Sequence, residues 1–519
     1  MRLHRKLPHL LLRADADPAR GAGHVMRCFA IAEAWQQHGG HATLLSYRLN
    51  PVLGQRTEAL GIGLMEIPLP YPDSADLRTT CTELEKVSRD DTELPWVVLD
   101  GCHFDTIYQS LLRSAGSRLM VIDDTAHLRR YDADIILNQA LFAQQFAYTC
   151  SPQTLLLLGT RFALLRSEFQ RWYGVPRHCP EVARRIVVIL GSSDADNATL
   201  KIIEALEQIS TPNLEVRVVV GPFNPHLAEL QRTMDSMSSR VRLETDATDI
   251  ASLMAWADLA VAGSGTTGGE LAFMRVPALI FTLSENQSAA AKALDEFGTA
   301  LSLGSPNDLR RDQITEAIFR LMHDQAARWQ MSEKGRVVVD GDGAQRTLEV
   351  MLCGSSEAGL QLRIASEEDG LLLWQWANDA LTRGNSFTPE PISWVTHQAW
   401  YAERLTSPDT RLWILELQKV PVGQIRYDRT DARMARISFS IAPAYRGTGL
   451  GTQLLNLSAD RACRELNVGT VEGITFAENR ASNHAFVKAG FEVYEERHIA
   501  GHRCFVFRRS CLPLLSTEP

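Results

Sequence analysis

Short apolar runs alternate with stretches of helical spacing from residue 8 to about residue 140. The runs cover 9–12, 42–46, 96–99, 119–122 and 135–137, and a second series covers 185–190, 216–220, 241–243, 259–262 and 278–282. Apolar runs bounded by amphipathic helices predict βαβ units, hence parallel sheets with helices on both faces. Gly174, Pro176 and Pro180 break the pattern between the two series. The small-residue stretch from Cys353 to Gly359 then reads as a linker. Beyond it the pattern changes to a strand at 360–364, a helix at 367–380, a hairpin from 413–418 and 422–426, and a strand at 436–441. The expected organisation is a first α/β domain at 1–175, a second at 176–350, a linker at 351–359 and a mixed α/β domain at 360–519. A cleft between the first two is the expected place for a small-molecule site.

The first apolar run leads into Arg13-Ala14-Asp15 and then Gly21-Ala22-Gly23-His24, after which residues 26–37 have helical spacing. His24 thus stands where a strand gives way to a helix, a position that α/β enzymes use for ligands. It reads either as a chemical group or as a helix cap. A second strand, 259–262, runs into Gly263-Ser264-Gly265-Thr266-Thr267-Gly268-Gly269-Glu270. Strand, glycine-rich loop and helix start present backbone amides to an anion. Ser264, Gly265, Thr266 and Thr267 are the candidate diphosphate ligands, and Glu270 the candidate acceptor from ribose hydroxyls. Asp123-Asp124 ends another strand; substrate positioning or a helix cap is preferred to a metal pair, because nothing completes a ligand set.

Composition narrows the classes. The chain has 519 residues, 45% hydrophobic, with a formal charge of −9, which argues against nucleic acid as a partner. Nine cysteines with no C-x-x-C pair read as reduced thiols, and no span reaches the ~20 apolar residues of a membrane helix. The basic start before residue 9 only faintly mimics a signal peptide, so a cytoplasmic protein without membrane contact is expected.

Residues 1 to ~345 resemble the UDP-sugar hydrolase of pseudaminic acid biosynthesis, a GT-B fold of the MurG type. The matches include Arg13 to Asp15, Gly21 to Cys28, Ile122-Asp123-Asp124, Asn138-Gln139, Phe162 to Phe169, Leu190 to Asn197, Gly263 to Leu271 and Glu285-Asn286-Gln287. The resemblance implies a fold of paired Rossmann-type domains and hydrolysis of UDP-2,4-diacetamido-2,4,6-trideoxy-β-L-altropyranose without a metal. It implies His24 as the base that takes a proton from water attacking the anomeric carbon, as a neutral imidazole does at pH 7. Asp15 would orient His24 or bind a sugar amide, while Arg13, Asn286 and Gln287 would hold the sugar. Gly191-Ser192-Ser193 departs from the family, which tends to have a second glycine there.

Residues ~360 to 510 resemble GNAT acetyltransferases acting on nucleotide sugars. The carriers are Arg446-Gly447-Thr448-Gly449-Leu450-Gly451, Glu478 to Asn483 and Gly490-Phe491, with Trp374 to Asp379 and His397 to Trp400 upstream. The resemblance implies acetyl-CoA as cosubstrate, held by Arg446, Gly447, Gly449, Leu450, Gly451 and Asn483, and acetylation of the 4-amino group of the same sugar. Phe486 stands where the family often has a tyrosine acid. Glu478 and His397 are candidate bases, and Trp374, Trp376, Trp394 and Trp400 are core by default. A GT-B glycosyltransferase with an inactive acyl-CoA-binding module is the alternative.

Overall fold

The computed structural model describes residues 7–90, 93–234, 240–245, 247–353 and 359–511. It divides into two compact units, Met1–Leu348 and Glu349–Pro519. The linker expected at 351–359 lies in part outside the described residues, as do the first six residues.

The first unit holds two parallel sheets. In the first, β1 (Leu10–Ala14), β2 (Ala42–Tyr47), β3 (Gly63–Ile67), β4 (Trp96–Asp100), β5 (Arg118–Ile122), β6 (Ile135–Asn138) and β7 (Leu155–Leu158) run in the order β3-β2-β1-β4-β5-β6-β7. In the second, β8 (Arg185–Ile189), β9 (Glu215–Val219), β10 (Val241–Glu244), β11 (Leu259–Gly263), β12 (Ala278–Phe281) and β13 (Ala300–Ser302) run in the order β10-β9-β8-β11-β12-β13. Every pairing in both is parallel. Strands covered on both faces need continuous apolar sequence, and β1 and β4 are buried at every position. The unit is the expected GT-B-like pair of Rossmann-type sheets. Strand order reverses between β1 and β4 and again between β8 and β11. Ligands of such sheets bind at these switch points, beyond the carboxyl ends of the strands.

Three strands escape the sequence pattern. β3 is an edge strand that is mostly exposed, β7 is a bare run of four leucines with no β-branched residue, and β13 has three residues. The end of the unit also crosses back to its beginning. A β-carbon on Gly343 would lie 2.3 Å from the carbonyl oxygen of Ala163, so the chain there packs on the first half rather than the second.

The second unit is one mixed sheet of β14 (Leu360–Ile364), β15 (Thr410–Leu417), β16 (Val420–Arg429), β17 (Met434–Ile441), β18 (Thr470–Phe476), β19 (Glu492–Ile499) and β20 (His502–Ser510), ordered β14-β15-β16-β17-β18-β20-β19. Its pairings are antiparallel except β17 with β18. That parallel pairing ends at Ile437 and Gly473, although the strands continue to Ile441 and Phe476, so they part at their carboxyl ends. The helix expected at 367–380 is broken: Asp379 ends the helix Gly370–Asn378 and caps the next, Ala380–Gly384. The thiol expectation is corrected here. Cys463 and Cys511 form a disulfide, and the other seven cysteines are in no disulfide among the described residues. Among the described residues no helix is long and apolar enough to cross a membrane.

Candidate functional sites

The helix Gly23–Gln37 starts one residue before His24, with Ala22 as a cap that offers no side chain. His24 therefore lies in the first turn rather than capping it. Its Nδ1 is 2.6 Å from Asp100 Oδ1, at the end of β4. Asp100 is fully buried and also accepts from Arg27, Nε at 2.9 Å and Nη2 at 2.7 Å, while Arg27 Nη1 forks onto Asp124 at 2.6 and 2.8 Å. Burial pushes the Asp100 carboxyl up, but Arg27 and His24 outweigh it and hold the group below the usual carboxylate range. Nδ1 also lies 3.1 Å from Arg27 Nη2; in the tautomer whose Nδ1 proton is donated to Asp100, Nε2 is left as an acceptor. The His24 side chain is 22% exposed, and no described protein group bonds Nε2.

Asp15 does not orient His24. Its carboxylate takes Arg13 Nη1 and Nη2, His103 Nε2 at 3.1 Å and the Tyr47 amide at 2.8 Å. Arg13 is completely buried between Asp15 and Asp76, so no sugar reaches it. Both are framework beneath the switch point. Asp123 likewise is spent on Tyr131, on the Thr125 and Ala126 amides, and on His127. Sequence reasoning missed Asp100, although a single carboxylate closing the buried apolar run 96–99, in register with Ala14, was the available signal.

The two switch points of this unit meet. The Ala22 amide donates to Ser192 Oγ at 2.8 Å, and a β-carbon on Gly23 would sit 3.8 Å from Thr266 Oγ1. Gly21 has φ +74°, and a β-carbon there would lie 2.7 Å from Ser192 Oγ, so glycine permits both the turn and the approach. Of the loop residues, Ser264 is buried and donates to the Phe281 carbonyl at 3.1 Å, a packing role. Gly265 and Thr266 are exposed, and the amides of Gly265, Thr266 and Thr267 take no backbone partner among the described residues. Gln287 braces the loop by accepting from the Leu283 amide, whereas Asn286 is exposed and takes the Ser284 hydroxyl. Glu270 Oε1 lies 3.0 Å from Arg166 Nη2.

In the other unit, Gly447 (φ +78°) and Gly449 (φ +86°) turn the loop after β17 into the helix Leu450–Leu466. The amides of five successive residues, Gly447 to Gly451, have no backbone acceptor among the described residues. Arg446 is turned away from that row, onto Asp379 Oδ1 at 2.6 Å and Thr382 Oγ1 at 3.0 Å. Asn483 is fully engaged with Thr475 and with the Phe476 and Ala477 carbonyls, which makes it a brace for the end of β18. Phe486 is buried and stacked on Phe507, with ring centroids 5.0 Å apart. His397 is buried against Tyr401, burial lowers its pKa to about 4, and Nε2 contacts the Gly370 carbonyl, so it is no open base. Glu478 is exposed. Trp376 is buried, Trp374 donates to the Ile392 carbonyl and meets Trp394 edge-on, and Trp400 lies under Arg426. Among the described residues no group of three or more His, Cys, Asp or Glu is placed to hold a metal.

Residues 360–492 match the acetyltransferase (GNAT) domain family. The spore coat polysaccharide biosynthesis protein SpsG of Bacillus subtilis is 23% identical over 347 residues, 66% of this chain and 97% of its own length. Acinetobacter baumannii MurG is 16% identical over 66% of this chain and 99% of its own, at TM-score 0.46. Aminoglycoside acetyltransferase AAC(6')-Ib, solved with coenzyme A, is 19% identical over 29% of this chain and 95% of its own, at TM-score 0.27. The chain thus joins a region similar to a sugar-biosynthesis protein to an acetyltransferase-type domain.

Proposed function

We propose that this chain is a bifunctional enzyme acting on a UDP-linked diamino trideoxy sugar: it acetylates the 4-amino group and hydrolyses the acetylated product, UDP-2,4-diacetamido-2,4,6-trideoxy-β-L-altropyranose. The observation that carries the hydrolytic half is the His24–Asp100 pair, with Nε2 unbonded, on a helix whose first residue, Gly23, comes close to Thr266 in the loop that bears the open amides of Gly265, Thr266 and Thr267. Nε2 takes a proton from water as the water oxygen bonds to the anomeric carbon. The bond from that carbon to the β-phosphate oxygen breaks, and UDP leaves with the electron pair. The loop amides stabilise its charge, a contribution strengthened by the excluded solvent of a cleft. Imidazolium forming beside Asp100 is held by the ion pair.

In the acetyltransferase half, the row of amides from Gly447 to Gly451 fits the pyrophosphate of acetyl-CoA, which supplies the acetyl group. The sugar amine attacks the acetyl carbonyl, the thiolate leaves as the carbonyl re-forms, and the nitrogen releases its extra proton to solvent. Phe486 has no proton to give, so the thiolate takes one from solvent. Incubation of the full chain with the UDP-4-amino sugar and acetyl-CoA tests the reading. Free CoA followed by UDP is expected. CoA without UDP contradicts the hydrolase, and UDP release that requires an added sugar acceptor favours a glycosyltransferase.

A further inference from the structure

One segment of the first unit touches both halves of the proposed hydrolytic site. Ser167, at the start of the short helix Ser167–Gln170, bonds Glu33 twice, through its amide at 2.9 Å and its hydroxyl at 2.6 Å. Glu33 lies on the helix that carries His24. The neighbouring Arg166 reaches the other half, with Nη2 3.0 Å from Glu270 Oε1 and 3.1 Å from Glu168 Oε1. Phe169 meets Phe273 edge-on at 6.3 Å, one turn along from Glu270 on the helix Thr267–Phe273. The segment from Arg166 to Phe169 therefore grips the helix of the nucleotide loop by one polar and one aromatic contact, while fastened to the helix of the base.

From this strut we infer that Arg166 is a positioning residue for nucleotide binding: it holds Glu270 as an oriented carboxylate for the ribose hydroxyls and ties it to the half that carries His24. The inference rests on the nucleotide reading of the Gly263–Glu270 loop. Its physical basis is the cost of an unpaired buried carboxylate. Burial holds the Glu270 carboxyl above the usual carboxylate range and Glu168 adds to that, while Arg166 and, less, Arg56 oppose the rise without cancelling it. Glu168 is paired with Arg56 and shares Arg166 Nη2 with Glu270; its charge still works against ionisation of Glu270, and Arg166 is the cation in direct contact with Glu270. Without that cation Glu270 takes a proton more readily and loses acceptor capacity as pH falls.

The test is calorimetric titration of UDP into the full-length wild type, Arg166→Gln and Arg166→Lys, between about pH 6 and 8. Wild type sets the reference profile, which includes the titration of the terminal phosphate of UDP. Arg166→Gln is expected to bind about tenfold or more weakly, and more weakly still at the acid end. Arg166→Lys keeps a cation without the guanidinium Nη2 that reaches Glu270 and Glu168 together; it is expected to bind more weakly than wild type but with the wild-type pH profile. Should Arg166→Gln not fold, the lysine variant decides alone, and wild-type affinity in it overturns the inference. An Arg166→Gln protein that binds as wild type does, with the wild-type pH profile, overturns it too. Failure of the wild type to bind UDP instead overturns the nucleotide reading itself.

Discussion

At the residue scale the account turns on two atoms 2.6 Å apart, His24 Nδ1 and Asp100 Oδ1. Replacing His24 with Asn removes the proton acceptor but keeps a polar side chain. UDP release from the nucleotide sugar is expected to fall by about 10²–10⁴-fold, with UDP affinity unchanged by titration. Asp100→Asn is expected to lower kcat with KM little altered, because the amide fixes neither tautomer nor imidazolium. Steady-state kinetics on the folded variant checks this. The place of His24 at the turn from strand to helix was legible from the glycines around it. Its partner was not, because proximity in sequence favoured Asp15, whereas adjacency of β1 and β4 brings in a residue 76 positions away. The resemblance implied a sugar contact for Arg13, but the residue lies inside β1, and only the fold reveals that it is buried beside Asp76.

At the scale of elements, apolar runs declared themselves even when short, as in four-residue β6 and β12, whereas the exposed edge β3, the all-leucine β7 and three-residue β13 did not. Alternating context identifies β1, β4, β8 and β11, whose lengths of apolar sequence admit no other placement. The hairpin of β15 and β16 was also visible, although its turn falls at Gln418 and Lys419, both with positive φ and neither a glycine. Two predictions belong here. A β-carbon on Gly473 would lie 2.2 Å from the Phe486 ring, so Gly473→Ala is expected to destabilise the acetyltransferase-type unit by about 1–3 kcal/mol, measured by urea unfolding. The helix Trp394–Thr406 buries His397 with its pKa lowered to about 4. An unfolded histidine titrates near ~6.5, so the stability from the neutral buried ring is present above that pH. It is lost as pH falls from ~6.5 toward the folded value, on the order of 1–3 kcal/mol. A urea midpoint for this unit that stays constant from pH ~7 to ~4 contradicts the assignment.

At the scale of the molecule, two compact units stand in one chain, Met1–Leu348 and Glu349–Pro519. Each has its own sheets and core, so differential scanning calorimetry is expected to resolve two transitions, with acetyl-CoA raising one and UDP the other. One transition raised by both ligands contradicts independent cores. On the proposed reading, joining the two steps in one chain raises the concentration of the shared intermediate near the second site. The central claim is that water activated by His24 attacks the anomeric carbon. Hydrolysis in ¹⁸O-labelled water, followed by mass spectrometry of both products, tests it most directly. Label in the released sugar and none in UDP is the predicted result; label in the UDP β-phosphate shows attack at phosphorus and contradicts it.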